Sequence, residues 1–164
     1  MKKILLLSDT HTCVDEKILK YVQQADEVWH AGDIGNTHVT DTIKKYKPLR
    51  AVYGNIDGGE LRKEFKETEV FTVEGVKVLM THIGGYPGRY AKGIRELIKL
   101  HQPKLFIAGH SHILKVMYDK KNDLLHMNPG ASGKKGFHKV RTMLRFVLDK
   151  GEIKDLEVIE LGSR

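Results

Sequence analysis

Five short apolar runs in this chain each end, two to five residues later, in a side chain that binds metal ions. The runs are Ile4 to Leu7, Val28 to Trp29, Ala51 to Tyr53, Val76 to Met80 and Leu105 to Ala108. The seven potential nitrogen and oxygen ligands that follow them are Asp9, His11, Asp33, Asn55, His82, His110 and His112. If the runs are strands of a mostly parallel sheet, all seven side chains lie at its carboxyl edge, where open α/β sheets gather their ligands. The repetition predicts a metal centre at that edge.

Length and composition indicate one globular domain. A chain of 164 residues, 40% of them hydrophobic, is long enough for one full core and short for two, so we expect a single domain over residues 1–164. The start lacks the length of a signal-peptide core, and no apolar stretch approaches the ~20 residues that span a bilayer. Cys13 is the only cysteine, which excludes an intrachain disulfide. We therefore expect a cytoplasmic protein with no membrane partner.

The chain is basic. Its 28 Lys and Arg residues against 21 Asp and Glu give a net charge of +7, which favours encounters with phosphates or nucleic acid. The lysines occur in small groups such as Lys134-Lys135 and mix with acids, as on an ordinary solvated face. A dedicated nucleic-acid surface is the less favoured interpretation.

The first two thirds of the chain alternate between strands and helices. Apolar periodicity predicts helices over Asp15 to Gln24, Thr37 to Tyr46 and Tyr90 to Leu100, the first capped by Asp15. Glu74-Gly75 between two alternating runs predicts a hairpin. This order is typical of doubly wound α/β proteins.

The last third contains only short alternating runs. They are Ile113 to Tyr118, Leu124 to Met127, Val140 to Leu148 and Ile153 to Ile159. We interpret them as antiparallel strands of a second sheet packed against the first. The predicted fold is α/β, with two packed mixed β-sheets flanked by helices in an α/β/β/α sandwich.

The ligand types favour a transition metal. Three imidazoles suit Mn, Fe, Ni or Zn better than Mg or Ca. Gly32 allows close backbone approach beside Asp33, whose carboxylate has two oxygens, enough to contact two cations at once. The five blocks that carry the ligands are Ser8-Asp9-Thr10-His11, Ala31-Gly32-Asp33, Gly54-Asn55-Ile56-Asp57, Thr81-His82 and Gly109-His110-Ser111-His112.

These five blocks, in this order, resemble the calcineurin-like metallophosphoesterases, in particular their small bacterial and archaeal phosphodiesterase branch. The resemblance covers Lys2 to Ala131. It implies a dinuclear centre in which one ion is held by Asp9, His11, Asp33 and His112. It implies that the second ion is held by Asp33, Asn55, His82 and His110. Asp33 would then bridge the ions, and we assign Asp33, Asn55 and His82 a part in catalysis as well.

The charge balance fits that assignment. Two divalent ions bring +4 and the carboxylates of Asp9 and Asp33 return −2, so the site retains a surplus that attracts a phosphate oxyanion. A metal pair also generates a hydroxide nucleophile near neutral pH and orients an in-line displacement. No P-loop or G-x-S-x-G motif indicates a covalent intermediate. We expect two divalent ions, first Mn²⁺, with Ni²⁺ or Fe²⁺ as alternatives and Zn²⁺ less favoured.

One position departs from the family pattern. Many relatives have a histidine after the asparagine that helps to protonate the leaving group, and here that position is Ile56. Isoleucine cannot donate a proton, so we expect a preference for leaving groups of low pKa, such as aryl phosphodiesters. For the neighbouring Asp57, a turn-forming carboxylate and a catalytic group are both retained as interpretations.

Residues outside the seven ligands carry weaker signals. Among the remaining histidines, His30 is interpreted as a structural hydrogen-bonding residue or a support for the ligands. Surface or filler positions are assigned to His38, His101, His126 and His138. Cys13 is taken as a small buried hydrophobe.

Two loops are candidates for the rim of the site. Asn128 to Ser132 resembles a late N-P-G-S block of the family, and we favour an architectural role for it over substrate contact. In the loop after His82, Arg89 could bind a phosphate and Tyr86 could stack on a base or aryl group, and an ordinary flexible loop is an equal alternative.

The predicted function is a metal-dependent phosphodiesterase acting on a small phosphodiester or nucleotide-like substrate. A non-catalytic scaffold of the same fold, like the retromer-complex subunit, and a nucleic-acid nuclease are the alternatives. The sequence leaves the oligomeric state open.

Overall fold

The computed structural model describes residues 1–164 as twelve strands and four helices. The strands of the first half are β1 (Lys2–Leu7), β2 (Glu27–His30), β3 (Leu49–Ala51), β4 (Thr68–Val73), β5 (Val76–Thr81), β6 (Gly85–Tyr86) and β7 (Arg89–Tyr90). The later strands are β8 (Leu105–Ile107), β9 (Leu114–Asp119), β10 (Leu124–Pro129), β11 (Val140–Asp149) and β12 (Glu152–Ser163). The helices are α1 (Glu16–Gln24), α2 (Thr37–Lys44), α3 (Gly59–Glu64) and α4 (Ile94–His101).

Two mixed sheets of five strands and one hairpin form the β-structure. The first sheet has the order β12-β11-β1-β2-β3. Strands β1, β2 and β3 are parallel, β11 is antiparallel to β1, and β12 is antiparallel to β11 at the edge of the sheet. The second has the order β4-β5-β8-β10-β9, with β5, β8 and β10 parallel. Strands β6 and β7 pair only with each other. The predicted pair of mixed sheets flanked by helices is confirmed.

The assignment of strands to sheets was wrong in part. The sequence placed the first five apolar runs in one sheet, whereas β5 and β8 belong to the second sheet and β11 and β12 join the first. Strand β10 is also parallel to β8, not antiparallel. Strand β1 is central in the first sheet, because its backbone pairs with β2 along one edge and with β11 along the other, where Ile4 lies opposite Phe146. Even so, the parallel strands of both sheets end at the ligand-bearing loops.

Alternation along β1 explains the layers. Ile4 and Leu6 face the core between the two sheets, together with Trp29 and Phe146. The intervening residues face α1 and α2 on the outside of the first sheet, in a cluster that includes Leu5, Leu7, Ile18, Val22, Val39 and Ile43. On the far side, α4 covers the second sheet through a smaller cluster that includes Ile98 and Phe106. Side chains in strands point alternately to opposite faces, so one strand serves two cores.

Local signals place most element boundaries. The Asp15 side chain accepts a hydrogen bond from the Ile18 amide, as predicted for the cap of α1. Glu74 and Gly75 both have positive φ, at 49° and 78°, which suits a tight turn between antiparallel strands, so the predicted hairpin is confirmed. The third helix of the prediction begins late, at Ile94 and not at Tyr90, because Tyr90 belongs to β7 and Gly93 is left-handed. None of the four helices combines the length and apolar character of a membrane crossing.

Candidate metal centre

The structure brings all seven predicted ligand residues to one edge of the sandwich. Asp9 and His11 follow β1, Asp33 follows β2, and Asn55 lies beyond β3 in the first sheet. From the second sheet, His82 follows β5 directly, and His110 and His112 follow β8. The centre therefore lies where the carboxyl ends of the parallel strands of two sheets meet. Ligands come from both sheets, and not from one as the sequence predicted.

Five of the seven residues have a left-handed backbone. Their φ angles are 54° at Asp9, 45° at His11, 55° at Asp33, 72° at His110 and 62° at His112. This conformation is uncommon for residues other than glycine and costs about 1–3 kcal/mol at each position. Backbone hydrogen bonds hold two of the loops in place, since the Asp9 and His11 amides donate to the carbonyls of Gly32 and Asp33 at 2.9 and 3.1 Å. The turns redirect the side chains from the strands into a common space.

The ligand atoms form two groups that Asp33 connects. Within each group they lie within 4.8 Å of one another, and the groups are Asp9, His11, His112 and Asp33, His82, His110. Asp33 Oδ2 is 3.2 Å from His82 Nε2 in its own group and 3.6 Å from His11 Nε2 in the other. One oxygen of Asp33 thus faces imidazoles of both groups.

Three buried atoms in this space have no hydrogen-bond partner: Asp9 Oδ1, His11 Nε2 and His82 Nε2. Leaving buried polar atoms unpaired costs about 1–3 kcal/mol each. Carboxylate and imidazole lone pairs that converge in one place are the donor set of a divalent transition-metal ion. The residues present therefore fit a metal centre.

His82 is oriented by a backbone carbonyl. Its Nδ1 donates to Ala31 O at 2.8 Å, so Nε2 presents its lone pair to the centre. Burial lowers the pKa of His82, but the close contact of its Nε2 with the Asp33 carboxylate and the charges of Asp9 and Asp33 outweigh burial, and the pKa is raised. Burial raises the pKa of Asp33, but its contacts with His82 and the Ile56 amide prevail and hold that pKa below its usual range. The centre is strongly negative, as a cation site requires.

His30 supports the first two ligand loops. The Gly32 amide donates to its Nδ1 at 3.1 Å, so Nε2 carries the proton and donates to Thr10 Oγ1 at 3.0 Å. The Thr10 hydroxyl in turn donates a hydrogen bond to Ile34 O at 2.8 Å. Burial lowers the pKa of His30 to about 4 and keeps the ring neutral. Of the two interpretations from the sequence, the geometry favours a satisfied structural hydrogen bond.

Asp57 forms a turn. Its carboxylate accepts three backbone N–H groups, from Ile34 at 3.1 Å, Gly35 at 2.9 Å and Gly54 at 2.7 Å. All three hydrogen bonds of this buried carboxylate therefore serve the loops that carry Asp33 and Asn55. The geometry favours the turn-forming interpretation over a catalytic one.

The Asn128 to Ser132 block is architectural. Asn128 Nδ2 donates to Gly109 O at 3.0 Å, and Ser132 donates through its amide and its hydroxyl to Ser8 O at 3.0 and 3.1 Å. These bonds link the loops after β1, β8 and β10. Cys13 is only half-buried, and Arg141 lies 3.6 Å from its sulfur.

The two substrate candidates from the sequence lie on the β6–β7 hairpin. Tyr86 is covered by the Lys115 ammonium, 4.5 Å above the ring centre, and lines a cavity with Ser111, the residue between His110 and His112. Arg89 is exposed and does not line that cavity. The structure thus places Tyr86 beside the centre and leaves Arg89 outside it.

His126 and His138 were assigned from the sequence to surface or filler positions, and the structure gives both of them specific partners. The His138 ring packs edge-on against His112 with centroids 5.2 Å apart, and its Nε2 donates to Gly133 O at 2.8 Å. His126 is fully buried on β10, and its Nδ1 donates to Phe106 O at 3.2 Å. Alternation along β10 predicts one buried face, but no local signal shows what that face meets.

Two wider cavities adjoin the centre. One of about 450 Å³ is lined by His110, His112, Phe137 and His138, and Phe137 is fully exposed at its rim. The other, of about 270 Å³, is lined by Asn55, His82, Tyr53 and Arg62. Each contains two of the predicted ligands, so both open onto the same centre.

Comparison with known proteins agrees with this geometry. A probable metallophosphoesterase from Methanocaldococcus jannaschii is 26% identical over 132 residues, which are 77% of this chain and 66% of that protein. The chain thus spans slightly less than two thirds of this relative.

Solved structures share the fold. A phosphoesterase-like protein from Streptococcus pneumoniae superposes with a TM-score of 0.72 at 19% identity, covering 99% of this chain and 92% of the other. The Zn²⁺ complex of wild-type Vps29 from Entamoeba histolytica superposes with a TM-score of 0.73 at 16% identity, covering 98% and 99%.

The family model described as the calcineurin-like phosphoesterase superfamily domain matches residues 1–151, nearly the whole chain. This match includes every strand and loop that contributes to the metal centre. The chain therefore belongs to the calcineurin-like phosphoesterase superfamily.

Proposed function

We propose that this protein is a phosphodiesterase that uses two divalent metal ions. The single observation that carries the proposal is the convergence of seven donor residues around three buried, unpartnered atoms of Asp9, His11 and His82. Membership of the superfamily supports a metal-dependent phosphoesterase. The dinuclear centre, the preference for diesters and Mn²⁺ as the metal are the finer parts of the proposal.

Asp33 is the proposed bridge between the ions. One ion would be held by Asp9, His11, Asp33 and His112, and the other by Asp33, Asn55, His82 and His110. The Asp33 oxygen that faces both His11 and His82 supports this division. Asn55 Oδ1 lies 3.1 Å from His110 Nδ1, which supports placing them on the same ion.

The metals would supply an activated water and positive charge for the phosphate oxygens. The protein's own residues orient the metal-binding side chains and attract the substrate. The Ala31 carbonyl fixes the ring of His82, the Ile56 amide holds Asp33 Oδ1 at 3.1 Å, and the charge of Lys135 reaches His11. With a net charge of +7, the surface favours the approach of an anionic ester.

The two cavities that adjoin the centre favour a diester over a monoester. A phosphate bound between them can extend one ester arm past His112 and Phe137 and the other past Asn55 and Tyr53. A monoester has a single arm and leaves one cavity without contacts. Small phosphodiesters or nucleotide-like molecules are the proposed substrates.

Substrate turnover distinguishes a phosphodiesterase from the scaffold and nuclease alternatives. A scaffold role has a structural argument, since Vps29 proteins share this fold and one forms a Zn²⁺ complex, so metal binding alone does not distinguish the two functions. The complete donor set favours catalysis. The nuclease alternative has the basic net charge as its support.

The test is hydrolysis of bis(p-nitrophenyl) phosphate by metal-free protein reconstituted with Mn²⁺, Ni²⁺, Fe²⁺ or Zn²⁺. We expect strongest turnover with Mn²⁺ and a loss of at least a hundredfold in Asp33→Asn, with Asp41→Asn on the exposed face of α2 as the matched control. Metal binding without turnover of the aryl ester or of a p-nitrophenyl monoester would favour the scaffold. Cleavage of a labelled oligonucleotide alone would favour the nuclease.

A further inference from the structure

A third cavity, of about 110 Å³, lies between the β6–β7 hairpin and the outer face of the second sheet. Its lining includes Tyr86 from the hairpin, Lys115 and His126 from the sheet, and Ser111 from the loop that carries His110 and His112. Ser111 therefore belongs both to the loop that carries His110 and His112 and to the lining of this cavity. The volume corresponds to about four water molecules at about 30 Å³ each, the size of a short polyol arm.

His126 lines this cavity and has a ring nitrogen without a hydrogen-bond partner. The residue is fully buried, and its Nε2 has no hydrogen-bond partner. Because the Phe106 carbonyl can only accept, Nδ1 carries the ring proton and Nε2 offers a lone pair. Burial lowers the pKa of His126 to about 4, so the ring is neutral near neutral pH. Buried polar atoms are normally paired, and an orphan that lines a cavity indicates a missing donor.

Ser111 presents the complementary donor. Its Oγ accepts from the Ile113 amide and from Asn128 Nδ2, both at 3.2 Å, while its own hydroxyl proton has no acceptor. Asn128 is committed, because its amide also binds Gly109 O and its Oδ1 accepts from the Gly130 amide. The cavity therefore has one free acceptor at His126 and one free donor at Ser111, with the Lys115 ammonium as a further donor.

This pattern selects one chemical group. A hydroxyl both donates and accepts, so it satisfies His126 and Ser111 together. An anion would face the lone pair of a neutral imidazole, and a hydrocarbon would leave both groups unpaired. We propose that the cavity is a substrate subsite for the hydroxyl-bearing end of the ester arm that passes His112, such as a glyceryl or ribosyl group, whose hydroxyl donates to His126 Nε2 and accepts from Ser111 Oγ. Ser111 and Ile113 line both this cavity and the one beside His112, so the two cavities share a wall. This inference rests on the proposed phosphodiesterase function.

The test uses two diesters with the same chromogenic leaving group, 2,3-dihydroxypropyl p-nitrophenyl phosphate and propyl p-nitrophenyl phosphate. The readout is the ratio of their kcat/KM values, which cancels differences in metal loading. We expect the native protein to prefer the dihydroxypropyl ester by about tenfold, since a site with buried polar groups rejects a ligand that cannot pair them. In His126→Phe the ratio should fall to about one, because the acceptor is replaced by a ring of similar shape.

Three further variants complete the experiment. His126→Gln retains an acceptor oxygen and should keep the preference within about threefold of the native value. Lys115→Met should reduce the ratio and replaces His126→Phe if that variant does not fold. The exposed His38→Phe is the matched control and should leave the ratio unchanged.

The outcomes separate the two proposals. Hydrolysis of bis(p-nitrophenyl) phosphate together with a ratio near one in the native protein would overturn the subsite and leave the phosphodiesterase standing. A parallel loss on both esters in His126→Phe, with the ratio intact, would also overturn it and assign the cavity to structural water. Absence of hydrolysis of all three diesters would instead reject the phosphodiesterase.

Discussion

Gly54 packs so closely against Asp33 that a side chain at position 54 would collide with the proposed bridging carboxylate. A Cβ built on Gly54 would lie 2.8 Å from Asp33 Cγ and closer still to Oδ1 and the Asp33 amide. Real Cβ atoms do not approach heavy atoms so closely, and Asp33 is held by its own left-handed backbone and by the Ile56 amide. The glycine before Asn55 is therefore part of the metal centre although it offers no ligand.

Gly54→Ala should damage metal binding. We expect the added methyl group to displace Asp33 and to weaken Mn²⁺ affinity at least tenfold, measured by calorimetric titration of metal-free protein, with a parallel loss of diester turnover. The matched control is Gly59→Ala at the start of α3, where a Cβ meets nothing within 4 Å. Equal Mn²⁺ affinity in the two variants would show that Asp33 does not hold the metal.

The isoleucine after Asn55 should make the rate sensitive to the leaving group. Ile56 is 48% exposed and contributes to the centre only through its amide, which donates to Asp33 Oδ1. With no proton donor at this position, the departing oxygen leaves as an anion, so we expect kcat to fall steeply as the leaving-group pKa rises. A series of aryl phosphodiesters with substituted phenols measures this slope.

Ile56→His is the informative variant for that series. A histidine at an exposed position beside the centre supplies a proton donor, so the slope should flatten and the gain should be largest for the poorest leaving groups. Ile83→His, at an equally exposed position after His82, is the control for an added imidazole. A native rate independent of leaving-group pKa would contradict the interpretation of Ile56.

The sequence predicted which side chains converge at the sheet edge better than it predicted the strand order, for a physical reason. Asp9, Asp33 and His82 come within a few residues of the ends of apolar runs, and a strand end determines locally where the next residues lie. The pairing of β1 with β11 joins Ile4 to Phe146 across most of the chain, and no local pattern specifies that partner. Both sheets are buried on two faces, so several strand orders satisfy the same apolar alternation.

The surroundings of the centre were equally beyond local reasoning. The short helix α3, the β6–β7 hairpin and the left-handed turns at the ligands depend on contacts between distant loops. His126 illustrates this limit. It lies on the outer face of β10, and the cavity beside it forms only when the β6–β7 hairpin, distant in sequence, packs over that face.

Asp57 should stabilise the protein without taking part in proton transfer. Asp57→Asn keeps one acceptor oxygen but turns an NH₂ group toward backbone donors, so at least one of the amides of Ile34, Gly35 and Gly54 loses its partner. We expect the free energy of unfolding to fall by about 2 kcal/mol, as for a lost hydrogen bond to a buried charged group. Urea unfolding of the metal-free protein measures it.

The pH dependence of turnover distinguishes this role from catalysis. If Asp57 only forms the turn, the remaining activity of Asp57→Asn should keep the native pH profile while its amplitude falls. Loss of one limb of that profile would identify Asp57 as a proton-transferring group and reject the turn-forming interpretation. Asp41→Asn, on the exposed face of α2, again serves as the control.

Acidification should destabilise the metal-free protein through its buried histidines. Burial lowers the pKa of His126 to about 4, whereas an unfolded histidine titrates near 6.5, so between these values the unfolded chain binds the proton more readily. Above pH ~6.5, protonation of His126 therefore does not change the free energy of unfolding. Its destabilising effect grows as the pH falls toward 4 and then levels off. The full effect is about 3 kcal/mol, and most of it is reached at pH ~4.5.

His126→Gln isolates this contribution because glutamine does not titrate in that range. In urea unfolding with EDTA, the variant should lose about 2–3 kcal/mol less stability than the native protein between pH 7.5 and pH 4.5. His30, with its pKa also lowered to about 4 by burial, remains in both proteins and supplies a common background. His38→Gln, at an exposed position, should follow the native curve. If His126→Gln followed it too, His126 would be solvated in the folded protein, and its Nε2 would not be the unpaired acceptor on which the third cavity depends.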